Sequence, residues 1–189
     1  MIVVMNEELD EQDFLCLPVR GMPQITSSDD LGAVVSRAVA RLQWPDGRYG
    51  MHGTDVVVVC GKIVAKAQGK WFRYGDHEGG FASRAGIPAG LDLDPVENAD
   101  DAAAQLRRGF AARFGGRPGV IITSHREVLG SAGFERMHGA SNALLSKLIS
   151  AHEQVIAEDK RYCVSIIRGL SDVLMWEDMP VNTSLNRDS

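Results

Sequence analysis

The chain is poor in cysteine. Cys16, Cys60 and Cys163 are odd in number and far apart, and each lies in an apolar stretch. That argues against a disulfide framework and predicts buried, reduced thiols in a cytoplasmic protein. Long apolar runs are missing too: none approaches the ~20 residues that a membrane helix needs. The start, Met1-Ile2-Val3-Val4-Met5-Asn6, carries no basic residue and no small-residue cleavage site, unlike a secretory signal. Basic charge is in deficit. With 20 Lys and Arg against 25 Asp and Glu, the net charge is −5, and a pI near 5.5 argues against a nucleic-acid binder. There is no internal repeat. A hydrophobic share of 44% with 24% charged residues excludes a disordered or collagen-like chain. No G-x-x-x-x-G-K-[ST], H-E-x-x-H, C-x-x-C or G-x-S-x-G occurs.

What is present is a succession of strands and helices. Phe14-Leu15-Cys16-Leu17 reads as a short strand stopped by Pro18. Ser27-Ser28-Asp29-Asp30 supplies a hydroxyl cap and carboxylates for a helix over 29–43, whose apolar face is Leu31, Val34, Val35, Ala38, Val39 and Leu42. Asp55 through Cys60, with four consecutive valines, fits a strand buried on both faces. Residues 71–97 read as loop. A helix over 98–114, capped by Asn98 or Asp100, precedes a second buried strand, Gly119–Thr123. A glycine-bearing connection leads to a helix over 141–159 and a third strand, Cys163–Ile167. The pattern predicts an α+β protein of mixed sheets flanked by helices. Residues 1–13 form an acidic leading segment, 14–170 one domain and 171–189 a polar tail.

Two segments could carry chemistry. Lys62 and Lys66 are four apart just beyond Gly61, at the end of a buried strand, where open sheets bind ligands. Two ammonium groups there could hold a phosphate or carboxylate, or they could be solvated charges on an edge. Ser124-His125-Arg126-Glu127 follows the second buried strand, and its His and Glu could serve a metal or acid–base chemistry; a plain polar loop is the simpler reading. His152 shares a helical face with Leu148, Val155 and Ile156 and reads as a core or border residue. His77-Glu78 adjoins a glycine pair in a loop, and Arg107, Arg108, Arg113 and Arg117 read as a solvated surface.

The order of segments resembles the coenzyme F420-0:L-glutamate ligase family. The specific block is Leu17-Pro18-Val19-Arg20-Gly21-Met22-Pro23, then Ser28-Asp29-Asp30-Leu31, then Asp55-Val56-Val57-Val58-Val59-Cys60-Gly61-Lys62-Ile63-Val64-Ala65-Lys66-Ala67-Gln68-Gly69. It is similar to the family's G-(L/I)-P, G-D-D-L and Q-K-(I/V)-V-S-K-A-E-G. Weaker likenesses continue through Gly80–Ile87, Asp94–Arg107, Val120–His125 and Val164–Leu170. The resemblance implies a truncated F420 ligase-like fold, a homodimer, and amide-bond formation between a small-molecule acid and an amino acid, driven by GTP with Mn²⁺ or Mg²⁺. It puts the nucleotide on Arg20, Gly21, Met22, Pro23, Gly61, Lys62 and Lys66, with both lysines facing one cavity with the Arg20–Pro23 loop. On that basis Lys62→Ala or Lys66→Ala matters to binding and little to folding.

The departures fall on the metal half. Pro88 stands where the family has a metal-binding Asp, Ser124-His125 where it has Asp-Thr, and Leu91 near its Asn; Ala65 and Gln68 replace a Ser and a Glu. The usual two-metal clamp cannot form from these residues. Ser124 and His125 are then the replacement metal positions, and His125 and Glu127 the acid–base candidates. A non-catalytic nucleotide- or ligand-binding paralogue is the alternative. A metal-dependent hydrolase built on His77, His125 and Glu127 ranks last.

Overall fold

A computed structural model describes residues 2–4, 14–81, 86–134, 140–159 and 162–170. The acidic run 6–13 and the tail 171–189 lie outside the described residues. Eight strands, β1 (Ile2–Val4), β2 (Phe14–Pro18), β3 (Val56–Cys60), β4 (Trp71–Arg73), β5 (Leu91–Leu93), β6 (Gly119–Ser124), β7 (Glu127–Ala132) and β8 (Val164–Arg168), and four helices, α1 (Leu31–Val39), α2 (Gly61–Ala67), α3 (Ala99–Phe114) and α4 (Ala140–Ile156), are seen among them. Six strands form one sheet in the order β1-β2-β8-β3-β6-β7. β3 and β6 run parallel while the other pairs in that sheet are antiparallel, so the sheet is mixed and the architecture is α+β, as the sequence predicts.

The four valines explain the layering. Val57 and Val59 face the helices α1 and α3, packing with Leu31, Val34, Val35, Leu106 and Phe110. Val56 and Val58 face α4, packing with Phe14, Leu148, Ile149 and Val155. Alternate side chains of a strand point to opposite faces, so a continuous apolar run is what a sheet covered on both sides requires. All four valines are fully buried, each contributing roughly 1.5–3 kcal/mol.

Several elements differ from the sequence reading. Asp30, not Ser27 or Ser28, caps α1, accepting from the Ala33 N–H at 3.0 Å. The 71–97 stretch contains a small antiparallel sheet, with Trp71 opposite Leu93 and Arg73 opposite Leu91. β7 turns back on β6 through the two-residue tip His125-Arg126. A bulge at Leu129 shifts its register: Ile122 pairs with Gly130, but Thr123 pairs with Val128. α2 starts at the residue after β3 ends, with no intervening loop.

At the far end of the sheet Asp55, wholly buried, takes two hydrogen bonds from Arg168, at 2.9 Å from Nε and 2.8 Å from the terminal nitrogen. The guanidinium lies over the Trp44 ring, 3.7 Å from its centroid. The Trp44 indole N–H donates to the Gly50 carbonyl at 2.6 Å. This node ties the start of β3 to the end of β8 and to the turn after α1.

Candidate functional site

β2, β3 and β6 run in one direction, so their carboxyl ends lie together with the start of β8. That end collects the loop after Pro18, the turn into α2, the β6–β7 tip and Cys163. Lys62 and Lys66 are one turn apart on α2 and so share a face. Lys62 is half-buried; Lys66 is only 5% exposed. The Lys66 ammonium donates to the Gly86 carbonyl and sits 5.9 Å from the Trp71 ring centre, at the limit of a cation–π contact. Burial lowers both lysines below the ordinary value of 10.5, and the charge of Lys62 lowers Lys66 further. Lys66 is therefore a buried structural cation, and its removal bears on folding, contrary to the sequence expectation.

The Arg20–Pro23 loop reaches the same locality. Gln24, the next residue, donates to the Gly86 carbonyl that Lys66 also holds, at 3.4 Å. Arg20 is exposed, its guanidinium 5.9 Å from the centre of the Tyr162 ring, beside Cys163. Gly21 takes the left-handed φ of 73° in open space, Pro23 is exposed, and Met22 packs against the core. Gly61 has a packing reason of its own: a Cβ there would come within 2.6 Å of the bulged Leu129 side chain and 3.3 Å of the Thr123 carbonyl.

Lys66 and Gln24, the residue after the Arg20–Pro23 loop, meet at the Gly86 carbonyl, and neither lysine lines the cleft of about 740 Å³ that the structure shows. That cleft lies between α1 and α3, lined by Asp29, Asp30, Ser36, Leu106 and Arg113, and touches α2 through Val64, Ala67 and Gln68. At 100° per residue these three lie on the face of α2 turned away from Lys62 and Lys66. Gln68 also braces the site: its side chain accepts from the Glu97 N–H at 3.0 Å and donates to the Glu97 carbonyl at 2.9 Å. Lys70 pairs with the Glu97 carboxylate.

Ser124 ends β6; His125 and Glu127 are exposed at the hairpin tip. His125 has a positive φ of 51°, and the Thr123 hydroxyl lies 2.9 Å from its carbonyl and 2.8 Å from that of Glu127. His77 is elsewhere, stacked on Phe72 with centroids 3.8 Å apart and 2.7 Å from the Asp94 carboxylate. Among the described residues no group of three or more His, Cys, Asp or Glu could hold a metal ion. Pro88 and Ser124, at positions where the resembled family carries metal-binding residues, supply no carboxylate. Arg107, read as solvated, is half-buried and donates to the Pro118 carbonyl at 2.8 Å.

Sequence reasoning missed how Cys60 is embedded. Its thiol lies 3.5 Å from His152 Nε2, whose Nδ1 is 2.8 Å from the Ser165 hydroxyl. Position at the end of a buried strand was the available signal; the partners come from α4 and β8 and leave none. Among the described residues no helix is long and apolar enough to cross a membrane.

No family model matches this sequence. The chain is similar to a protein described as coenzyme F420:L-glutamate ligase from Archaeoglobus fulgidus, at 28% identity over 153 residues, covering 56% of this chain. It spans 57% of that relative's length, a distant likeness that supports a relationship to such ligases.

Proposed function

We propose that the chain is a ligase-like protein that binds the phosphates of GTP at the carboxyl end of β3 and joins a small-molecule acid to an amino acid through an amide bond. The observation that carries this reading is the lysine pair. Lys62 and Lys66 share one face of α2, beside the Arg20–Pro23 loop, in a chain similar to an F420:L-glutamate ligase. Lys62 is the phosphate contact of the pair; a charge-assisted bond from an ammonium group to a phosphate oxygen is among the stronger polar contacts. Lys66 sets the field at the site and holds Gly86. Arg20, exposed in the neighbouring loop, supplies a third cation.

The acid is activated by phosphoryl transfer and the amine then displaces phosphate; catalysis of that kind rests on positioning and charge stabilisation. His125 and Glu127 at the β6–β7 tip are the acid–base candidates in this reading, His125 as acceptor of the amine's proton. Two copies of the chain form the working unit. Calorimetric titration with GTP, followed by an assay for amide formation, tests the reading. Binding without turnover would identify the non-catalytic paralogue, and no heat with GTP would remove the nucleotide.

A further inference from the structure

Beneath the lysines, on the α4 side of the sheet, four polar side chains form a line. His152 is wholly buried, with Nε2 3.5 Å from Cys60 Sγ and Nδ1 2.8 Å from Ser165 Oγ. Ser165 is buried as well, and its hydroxyl bonds the Cys16 thiol. In the tautomer that serves as a base, Nδ1 donates to Ser165, Ser165 donates to Cys16, and the Nε2 lone pair faces the Cys60 S–H. Thiol, base and orienting hydroxyl in sequence are what an activated nucleophile requires. Cys60 is also the residue at which β3 passes into α2, two positions before Lys62, whose charge favours the thiolate.

We propose that Cys60 is a nucleophile that accepts acyl groups from small anionic acyl donors, with His152 as its base and Ser165 as a positioning residue. Sγ bonds to the acyl carbon while its proton passes to Nε2. The leaving group, phosphate from an acyl phosphate, departs with the electron pair of the broken bond, and the proton on Nε2 is passed on to it. The product is a thioester on Cys60; water or an amine then bonds to the acyl carbon as His152 takes its proton, the C–S bond breaks with its electron pair on Sγ, and the proton returns from Nε2 to Sγ. Burial pushes the Cys60 thiol up to about 12 and His152 down to about 4, so the resting pair is neutral. Free thiolate is then scarce, and the route open to attack is loss of the proton to Nε2 as the new bond forms, as for a serine hydroxyl beside its base. This activity goes beyond the ligase reading: it needs no nucleotide, and a failure to bind GTP leaves it untouched.

The test incubates the full chain with acetyl phosphate, and separately with 4-nitrophenyl acetate, followed by intact mass and peptide mapping. The expected product is one acetyl group on Cys60, released by neutral hydroxylamine as a thioester is, absent in Cys60→Ser and retained in Cys163→Ser. His152→Asn slows acetylation roughly a hundredfold or more. Ser165→Ala slows it and Ser165→Thr restores it. The pH profile of the unaltered chain decides even if the buried variants fail to fold. The titratable and charged groups around the pair are Lys62 from α2, Cys163 before β8, Glu153 on α4, and Cys16 behind Ser165. A rate that is flat from about pH 6 to about pH 9 supports base-assisted attack. A tenfold rise per unit means unassisted thiolate and overturns the role of His152. Inorganic phosphate should compete with acetyl phosphate; its failure to do so removes the lysines from the proposal. No thioester, or a thioester on Cys16 or Cys163, overturns it altogether.

Discussion

Lys62 and Lys66 look equivalent in a sequence, four apart on either side of three apolar residues, but the fold gives them different surroundings. On the proposed reading, Lys62→Ala removes a phosphate contact and should weaken GTP binding by about 2 kcal/mol, read by calorimetry. Lys66 is bonded to Gly86 inside the protein. Lys66→Ala leaves that carbonyl with only the long bond from Gln24 and should cost about 1–2 kcal/mol in urea unfolding. Because the folded Lys66 releases its proton below 10.5, the unfolded chain holds more protons in that window. Lys66 therefore contributes a rise in stability with pH just below 10.5, and Lys66→Met removes that contribution. His152 works at the acid end. Its imidazole titrates at about 4 in the fold against an ordinary 6.5. The unfolded chain takes up the proton first as pH falls, so stability is full above 6.5 and declines down to 4, by about 3 kcal/mol. Urea midpoints across that range, compared with His152→Gln, check this. The periodicity of α4 marks His152 as a core position, but nothing in the sequence links it to Cys60, 92 residues away.

At the scale of elements, legibility followed local pattern. Val56–Val59 and the periodic apolar face of α1 announce themselves because burial on two faces, or on one helical stripe, leaves a periodic trace. α2 was hidden because β3 passes into it without a loop, and its N-cap, Cys60, makes no capping bond. β4 and β5 are short and lie beside glycines, and in β7 Gly130 and the bulge at Leu129 break the alternation that identifies a strand. The Asp55–Arg168 pair joins residues 113 apart in sequence and is invisible before folding. Asp55→Ala strands a mostly buried guanidinium and should cost about 3–5 kcal/mol, measured by chemical denaturation. Asp55 and Arg168 lie at the opposite end of β3 from the lysines, so the loss should appear in stability with little change in GTP affinity below the unfolding midpoint.

At the scale of the whole molecule, three layers set the site. Helices α1 to α3 cover one face of the mixed sheet and α4 the other, and the carboxyl ends of β2, β3 and β6 gather the lysines, the Arg20–Pro23 loop and the β6–β7 tip. The block that resembles the ligases marks this end of the sheet; the bridging role of Gly86 and the Cys60–His152 contact are products of tertiary packing. The proposed assembly of two copies is checked by light scattering, which should give twice the 20.5 kDa of the chain; a mass of one chain at working concentration would contradict it. Nucleotide recognition at the lysine end is checked by titrating GTP into the unaltered chain and into Lys62→Ala. Saturable heat is expected with the unaltered chain, with binding weaker by about 2 kcal/mol in the variant. No heat with either protein, or equal affinity in both, would contradict it.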